Sequence, residues 1–172
     1  NRSDWGGGIH NDNTATSLSL TNVTVSGNTA ADTGGGLYNQ NPATIENATF
    51  TLNSASTASG IFNEDTASEI DIRNTIVAGN LTSSDVEGDF NSLGNNLIGD
   101  GEAASGFTDG VNGDQVGTSG SPLNPLLDPL ADNGGFAPTH ALQTGSTAID
   151  AGTATGAPTT DQRGGERDDG SI

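Results

Sequence analysis

Cysteine, methionine and lysine are missing from the 172 residues, and aromatic side chains make up only 4%. Without cysteine there is neither a disulfide scaffold nor thiol chemistry. Positive charge is nearly absent too. Arg2, Arg73, Arg163 and Arg167 face 22 acidic residues, for a net charge of −18. Phosphate backbones are held by clustered cations, so this balance excludes a nucleic-acid partner. It also opposes attraction to an anionic membrane surface. No run of about 18 apolar residues is long enough to span a bilayer, and no basic, apolar leader is present. The chain starts and stops inside recognisable patterns, so its targeting and anchoring signals are expected to lie outside it.

Few apolar residues combined with high net charge ordinarily signify disorder. Here the apolar residues form short, alternating, β-branched clusters bounded by Gly and Asn, which is the pattern of strands and turns. The clusters repeat. Gly6-Gly7-Gly8-Ile9-His10-Asn11 aligns with Gly34-Gly35-Gly36-Leu37-Tyr38-Asn39 and with Ser59-Gly60-Ile61-Phe62-Asn63. A second block aligns Leu20 to Asn28, Ile45 to Asn53 and Ile72 to Asn80, with Asn22, Asn47 and Asn74 in one register and Asn28, Asn53 and Asn80 in another. The steps average about 26 residues. Fixed leucine offsets are lacking, and linking stretches such as 11–19 consist of poor helix formers, so a leucine-rich repeat does not fit. An all-β chain results, a parallel β-helix whose turns stack at about 4.8 Å. The glycine runs are expected to serve tight turns or close approach of neighbouring coils. The Asn rows are expected to form amide ladders.

The repeat is legible over residues 1–99. Residues 100–172 hold five of the six prolines and much glycine, and are expected to form a loop-rich C-terminal cap covering the last turn. The chain then reads as the C-terminal part of a longer helix.

The C-terminal motifs are specific. They are Asn124-Pro125-Leu126-Leu127, the stretch Pro129 to Leu142 containing Asp132-Asn133-Gly134-Gly135-Phe136-Ala137-Pro138-Thr139-His140, Gly145 to Gly152, and Thr160-Asp161-Gln162-Arg163-Gly164. Together with the upstream repeats they resemble the choice-of-anchor Q domain family. That family closes right-handed parallel β-helix repeats in large secreted bacterial proteins, and its pattern continues into a final strand near where this chain stops, at Ile172. The resemblance implies a right-handed coil, an extracellular location, secreted or anchored to the cell surface, and no common activity.

Several residues are candidates for chemistry. Hydrolases of glycosidic bonds need paired carboxylates, and Glu64-Asp65, Glu69, Asp71, Asp85, Glu87 and Asp89 supply carboxylates in number. Lyases acting on uronates commonly need an Arg or Lys base, but the one arginine on a clear turn is Arg73, and a charge of −18 repels polyuronates. Arg73 is expected to pair with Glu46 one turn away. Asp109, Asn112 and Asp114, spaced by glycines, offer side-chain oxygens of the kind Ca²⁺ takes; the competing reading is an Asx-turn loop. His140 is expected to fix its loop by hydrogen bonds, and Asp161 with Arg163 to form a structural clamp. The Asn-x-Thr sequons at Asn22, Asn47 and Asn80, and the Asn1-Arg2-Ser3 match, arise readily in so Thr/Asn-rich a chain. Trp5 is expected to pack beneath a preceding coil; stacking of Trp5 and Tyr38 on a sugar is the alternative.

The favoured reading is non-enzymatic, an extracellular structural or adhesive β-helix of a bacterial surface or matrix. It includes a filament subunit and stabilisation by Ca²⁺ as specific versions. Its partners are then other copies of itself or cell-surface or matrix polysaccharide. The alternative is a lyase-like, hydrolase-like or glycan-binding β-helix module. Two carboxylates and an arginine gathered in one groove favour the alternative; carboxylates dispersed over turns favour the first reading.

Overall fold

The computed structural model describes residues 2–14, 16–64 and 69–167. Asn1, Asp65 and Ile172, invoked above, lie outside the described residues. Among the described residues every regular element is a strand, and no helix is long and apolar enough to cross a membrane.

The chain is a parallel β-solenoid. One face stacks β2 (Ile9–Asn11), β6 (Leu37–Asn39) and β9 (Ile61–Asn63), with Ile9, Leu37 and Ile61 in register. A second stacks β3 (Leu18–Thr21), β7 (Ala43–Glu46) and β10 (Ile70–Arg73). The third stacks β4 (Thr24–Ser26), β8 (Thr49–Thr51), β11 (Ile76–Val77) and β13 (Leu97–Ile98). Outside these faces, β1 (Arg2–Trp5) pairs with β5 (Thr29–Thr33). Equivalent asparagines on successive turns are 24 to 28 residues apart, in agreement with the sequence period. The fourth turn is shorter. Its β12 (Val86–Gly94) runs through the corner between the first two faces, with Val86 opposite Ile61 and Phe90 opposite Ile70. Pairing also continues past Gly99, through β14 (Ala104–Ser105) on β12 and β15 (Gln115–Val116) on β13.

The core follows from strand parity. Leu37, Ile61 and Val86 stack inward on the first face, Ile45 and Ile72 on the second, and Phe50, Val77 and Ile98 on the third, all fully buried. Each such side chain contributes roughly 1.5–3 kcal/mol by leaving water. The glycine runs serve both expected purposes. Gly6 and Gly34 adopt φ of 60° and 65°. Gly7 and Gly35 instead permit close approach, since a Cβ on either would lie 2.5 Å from a backbone oxygen of the next turn.

Residues 122–167 contain no strand and run along the solenoid's side, toward its first turn. The corner between the second and third faces carries Asn22, Asn47, Asn74 and Asn95, all left-handed at φ of 48–60°. Three of these asparagines grip the tail. The Nδ2 groups of Asn95, Asn74 and Asn22 donate to the carbonyls of Ala151, Thr153 and Thr160, each at 2.8 Å. Thr153 N–H donates back to Asn74 Oδ1 at 2.9 Å. The tail therefore acts as a strap across several turns, while the cover of the last turn is provided by β14 and β15 pairing on the fourth.

Candidate functional site

On the outer surface of the first face, residues between the inward positions form two adjoining columns. His10, Tyr38 and Phe62 occupy one register across three turns. Trp5 joins this column, its ring stacked on Tyr38 at 6.1 Å, and Tyr38 in turn stacks on Phe62 at 5.5 Å. His10 meets Tyr38 edge-on at 5.0 Å. Two residues further along each turn lie Asp12, Gln40 and Glu64, which share the outward parity. Together the two columns line an open groove of about 370 Å³.

The groove is internally ordered. Gln40 Nε2 donates to Glu64 Oε2 and, at 3.4 Å, to the Tyr38 hydroxyl. Burial, then the hydrogen bond and negative charge of Glu64, push the Tyr38 hydroxyl well above the ordinary tyrosine range, so it stays protonated. Asp12 Oδ1 accepts from Thr14 N–H at 3.0 Å. Trp5 is half exposed, and its contact is with the turn that follows it. Tyr38 and Trp5 were identified from sequence as separate aromatics. The polar column shows in the repeat once each unit is extended one residue past Asn11, Asn39 and Asn63, to Asp12, Gln40 and Glu64, whereas Trp5 is in register with Thr33 and joins the aromatic column only in space.

The other polar candidates hold the solenoid together. Asn28 Nδ2 donates to Asn53 Oδ1, and Asn53 Nδ2 to Asn80 Oδ1, both at 3.0 Å. Asn80 Nδ2 then donates to Asp85 Oδ1 at 2.7 Å. The second Asp85 oxygen accepts from Asp100 N–H at 2.8 Å. An amide has both a donor and an acceptor and so propagates a ladder, whereas an ionised carboxylate only accepts and so ends one. Asp85 is almost fully buried, and that burial raises its pKa above the ordinary 3.8, outweighing the lowering effect of the bonds from Asn80 and Asp100.

Asp114 plays the same part in a second ladder. Its Oδ1 accepts from Asn96 N–H and Nδ2 at 2.9 and 3.0 Å, and its Oδ2 from Ser92 Oγ at 2.5 Å. Of the three residues read as a calcium loop, Asp114 is thus buried, while Asp109 and Asn112 are exposed. Asp109 Oδ1 accepts from Val116 N–H at 3.0 Å, and Asn112 is left-handed at φ 53°. Among the described residues no three His, Cys, Asp or Glu side chains gather as a metal centre would require.

Arg73 pairs with Glu46 at 2.5 Å as expected, and also donates to the tail carbonyls of Thr155 and Gly156 at 3.3 and 3.1 Å. His140 bridges Ser26 Oγ at 2.9 Å and Asp128 O at 2.7 Å, so it does fix its loop. Asp161 and Arg163 form the expected clamp at 2.7 Å. Glu69 and Asp71 line one open pocket on the second face, beside Pro42 and Thr44. Asp71 accepts from Asn91 Nδ2 at 2.8 Å, and Asp89 from Ser105 Oγ at 2.5 Å. No family model, curated protein or solved structure matches this chain.

Proposed function

We propose that this chain is a non-catalytic, extracellular β-solenoid that serves a bacterial surface or matrix as a structural and adhesive element, in keeping with its resemblance to the choice-of-anchor Q domain family. One observation carries the reading. Four of the residues equipped for chemistry hold the turns and the strap, with Asp85 and Asp114 ending amide ladders, Arg73 bound to Glu46 and the tail, and His140 bridging Ser26 and Asp128. Asp12 and Glu64 line the aromatic groove, and among the described side chains lining it none is an arginine. A uronate lyase needs an arginine or lysine base there, whereas two carboxylates in one groove are also what a glycoside hydrolase uses, so the test follows product as well as retention.

The test is incubation of the purified chain with insoluble cell-surface polysaccharide, following both its loss from solution and the appearance of new reducing ends or unsaturated uronates. Retention without new ends is expected. Product accumulating with enzyme-like turnover would make the chain a catalyst, and failure to be retained on any surface polysaccharide would remove the adhesive role.

A further inference from the structure

We propose that Asn112, followed by Gly113, is a site of spontaneous deamidation, a one-way covalent change that loosens the end of the solenoid. The inference goes beyond the adhesive reading and does not depend on it. The chemistry needs an asparagine amide free to turn onto its own backbone. It also needs a following residue with no Cβ to block the approach, and a backbone N–H that hydroxide reaches. Asparagine followed by glycine occurs twice in the sequence, at Asn112-Gly113 and at Asn133-Gly134, and the fold treats the two pairs differently.

At the first pair every requirement is met. Asn112 and Gly113 are both exposed. Among the described residues nothing is hydrogen-bonded to the Asn112 side-chain amide or to the Gly113 N–H, while the Asn112 carbonyl accepts from Asn95 N–H at 3.0 Å. At the second pair both reacting groups are engaged. Asn133 Nδ2 donates to Thr139 O and Oγ1 at 2.9 and 3.1 Å, and Gly134 N–H donates to Asp132 Oδ1 at 3.0 Å. Turning the Asn133 amide onto Gly134 breaks two bonds, and the Asp132 carboxylate opposes loss of the Gly134 proton. The same dipeptide is reactive in one loop and protected in the other.

Hydroxide removes the Gly113 amide proton, and the nitrogen attacks Asn112 Cγ, forming an N–Cγ bond. The side-chain nitrogen leaves as ammonia, taking a proton from water and restoring the hydroxide, and a five-membered succinimide remains. Water then opens the ring at either carbonyl. Cleavage of the new N–Cγ bond gives aspartate. Cleavage of the original peptide C–N bond gives isoaspartate, in which the main chain runs through Cβ and Cγ. Overall, one water is consumed and one ammonia is released.

The effect on the fold follows from what comes next in the chain. Asp114 ends the second amide ladder by accepting from Asn96 N–H and Nδ2, and Gln115 N–H donates to Asn96 O at 2.8 Å. Isoaspartate inserts an extra main-chain atom just before this pair, and places a new negative charge two residues from Asp114. Asp114 and Gln115 are thereby moved off Asn96, and β15 is loosened from the fourth turn.

Incubating the intact chain in mildly alkaline buffer, with peptide mass mapping and enzymatic isoaspartate detection at intervals, reads the conversion at each asparagine. In the folded chain Asn112 is expected to convert at least about tenfold faster than Asn133, a difference of about one hydrogen bond in barrier height. In guanidinium-unfolded chain that difference is expected to vanish. In the chromatographically separated isoaspartate form, the Asn96 and Gln115 amides are expected to exchange at least about tenfold faster than in fresh protein. The Ala78 amide, bonded to Phe50 O one turn earlier, is expected to stay protected. Equal conversion of the two asparagines in the folded chain, no conversion at Asn112, or a difference that persists on unfolding would overturn the site. Unchanged exchange at Asn96 and Gln115 in the isoaspartate form would overturn its coupling to the end of the solenoid.

Discussion

Replacing Asn53 with alanine should cost far more than a polar-to-alanine change on an exposed turn. Asn53 is fully buried in the middle of the longer amide ladder. Its Oδ1 accepts from Asn28 N–H and from Asn28 Nδ2, each at 3.0 Å. Its Nδ2 donates to Val25 O at 2.9 Å and to Asn80 Oδ1 at 3.0 Å. Alanine removes all four bonds at once. A buried polar group left without its partner costs about 1–3 kcal/mol, but the four share one network and will not add in full. The expected loss is therefore about 4 kcal/mol, or about 12 °C in Tm for a chain of this length. Urea unfolding followed by circular dichroism reads it directly. Asn53→Asp should also destabilise near neutral pH, because a carboxylate has no donor for Val25 O or Asn80 Oδ1. A loss below about 1 kcal/mol for Asn53→Ala would refute the claim that the ladder joins the turns.

Gly35→Ala should cost about 3 kcal/mol or more, since its Cβ would lie 2.5 Å from Ser59 O, whereas Gly120→Ala, with open space around it, should stay within about 0.5 kcal/mol; paired unfolding curves compare them, and equal effects would contradict the packing described. Asp85 holds its proton more tightly when folded than when unfolded, so its contribution to stability is fully present below 3.8 and is lost as pH rises through its raised folded value. The stability of the wild type relative to Asp85→Asn should therefore decline with rising pH across that window, and parallel pH profiles would contradict the assignment. Asp114→Asn should lower stability by about 1–2 kcal/mol even in chelator, through the lost acceptor for Ser92 Oγ. A loss seen only with Ca²⁺ present would make Asp114 a calcium ligand instead.

The solenoid was legible because its register is written in residues that stack on their own equivalents. Asn28, Asn53 and Asn80 recur at the period that places each amide within reach of the next, and Leu37 and Ile61 mark the inward parity of the first face. The fourth turn was harder to read because β12 passes straight through a corner, which shortens the step and removes the turn residues that mark a unit. Asp85 and Asp114 were read as carboxylates for chemistry or metal binding. Their structural role depends on the direction in which the amides donate along the axis, and that direction leaves no mark on composition or spacing. The strap was illegible for a related reason. Its attachments run from Asn95, Asn74 and Asn22 side chains to tail carbonyls, and a backbone carbonyl is offered by every residue type. The aromatic groove was half legible. Trp5 and Tyr38 drew attention singly, but the column of Asp12, Gln40 and Glu64 beside them depends on a parity that only strand boundaries fix.

The strapped solenoid is tested most directly at the Thr153 amide. This residue lies in a stretch without regular secondary structure, and its N–H donates to Asn74 Oδ1 at 2.9 Å. Residue-resolved hydrogen exchange should find the Thr153 amide protected in the intact chain and exchanging far faster in Asn74→Ala, with the strands of the third face still protected. Rapid exchange of Thr153 in the unaltered chain would contradict the strap.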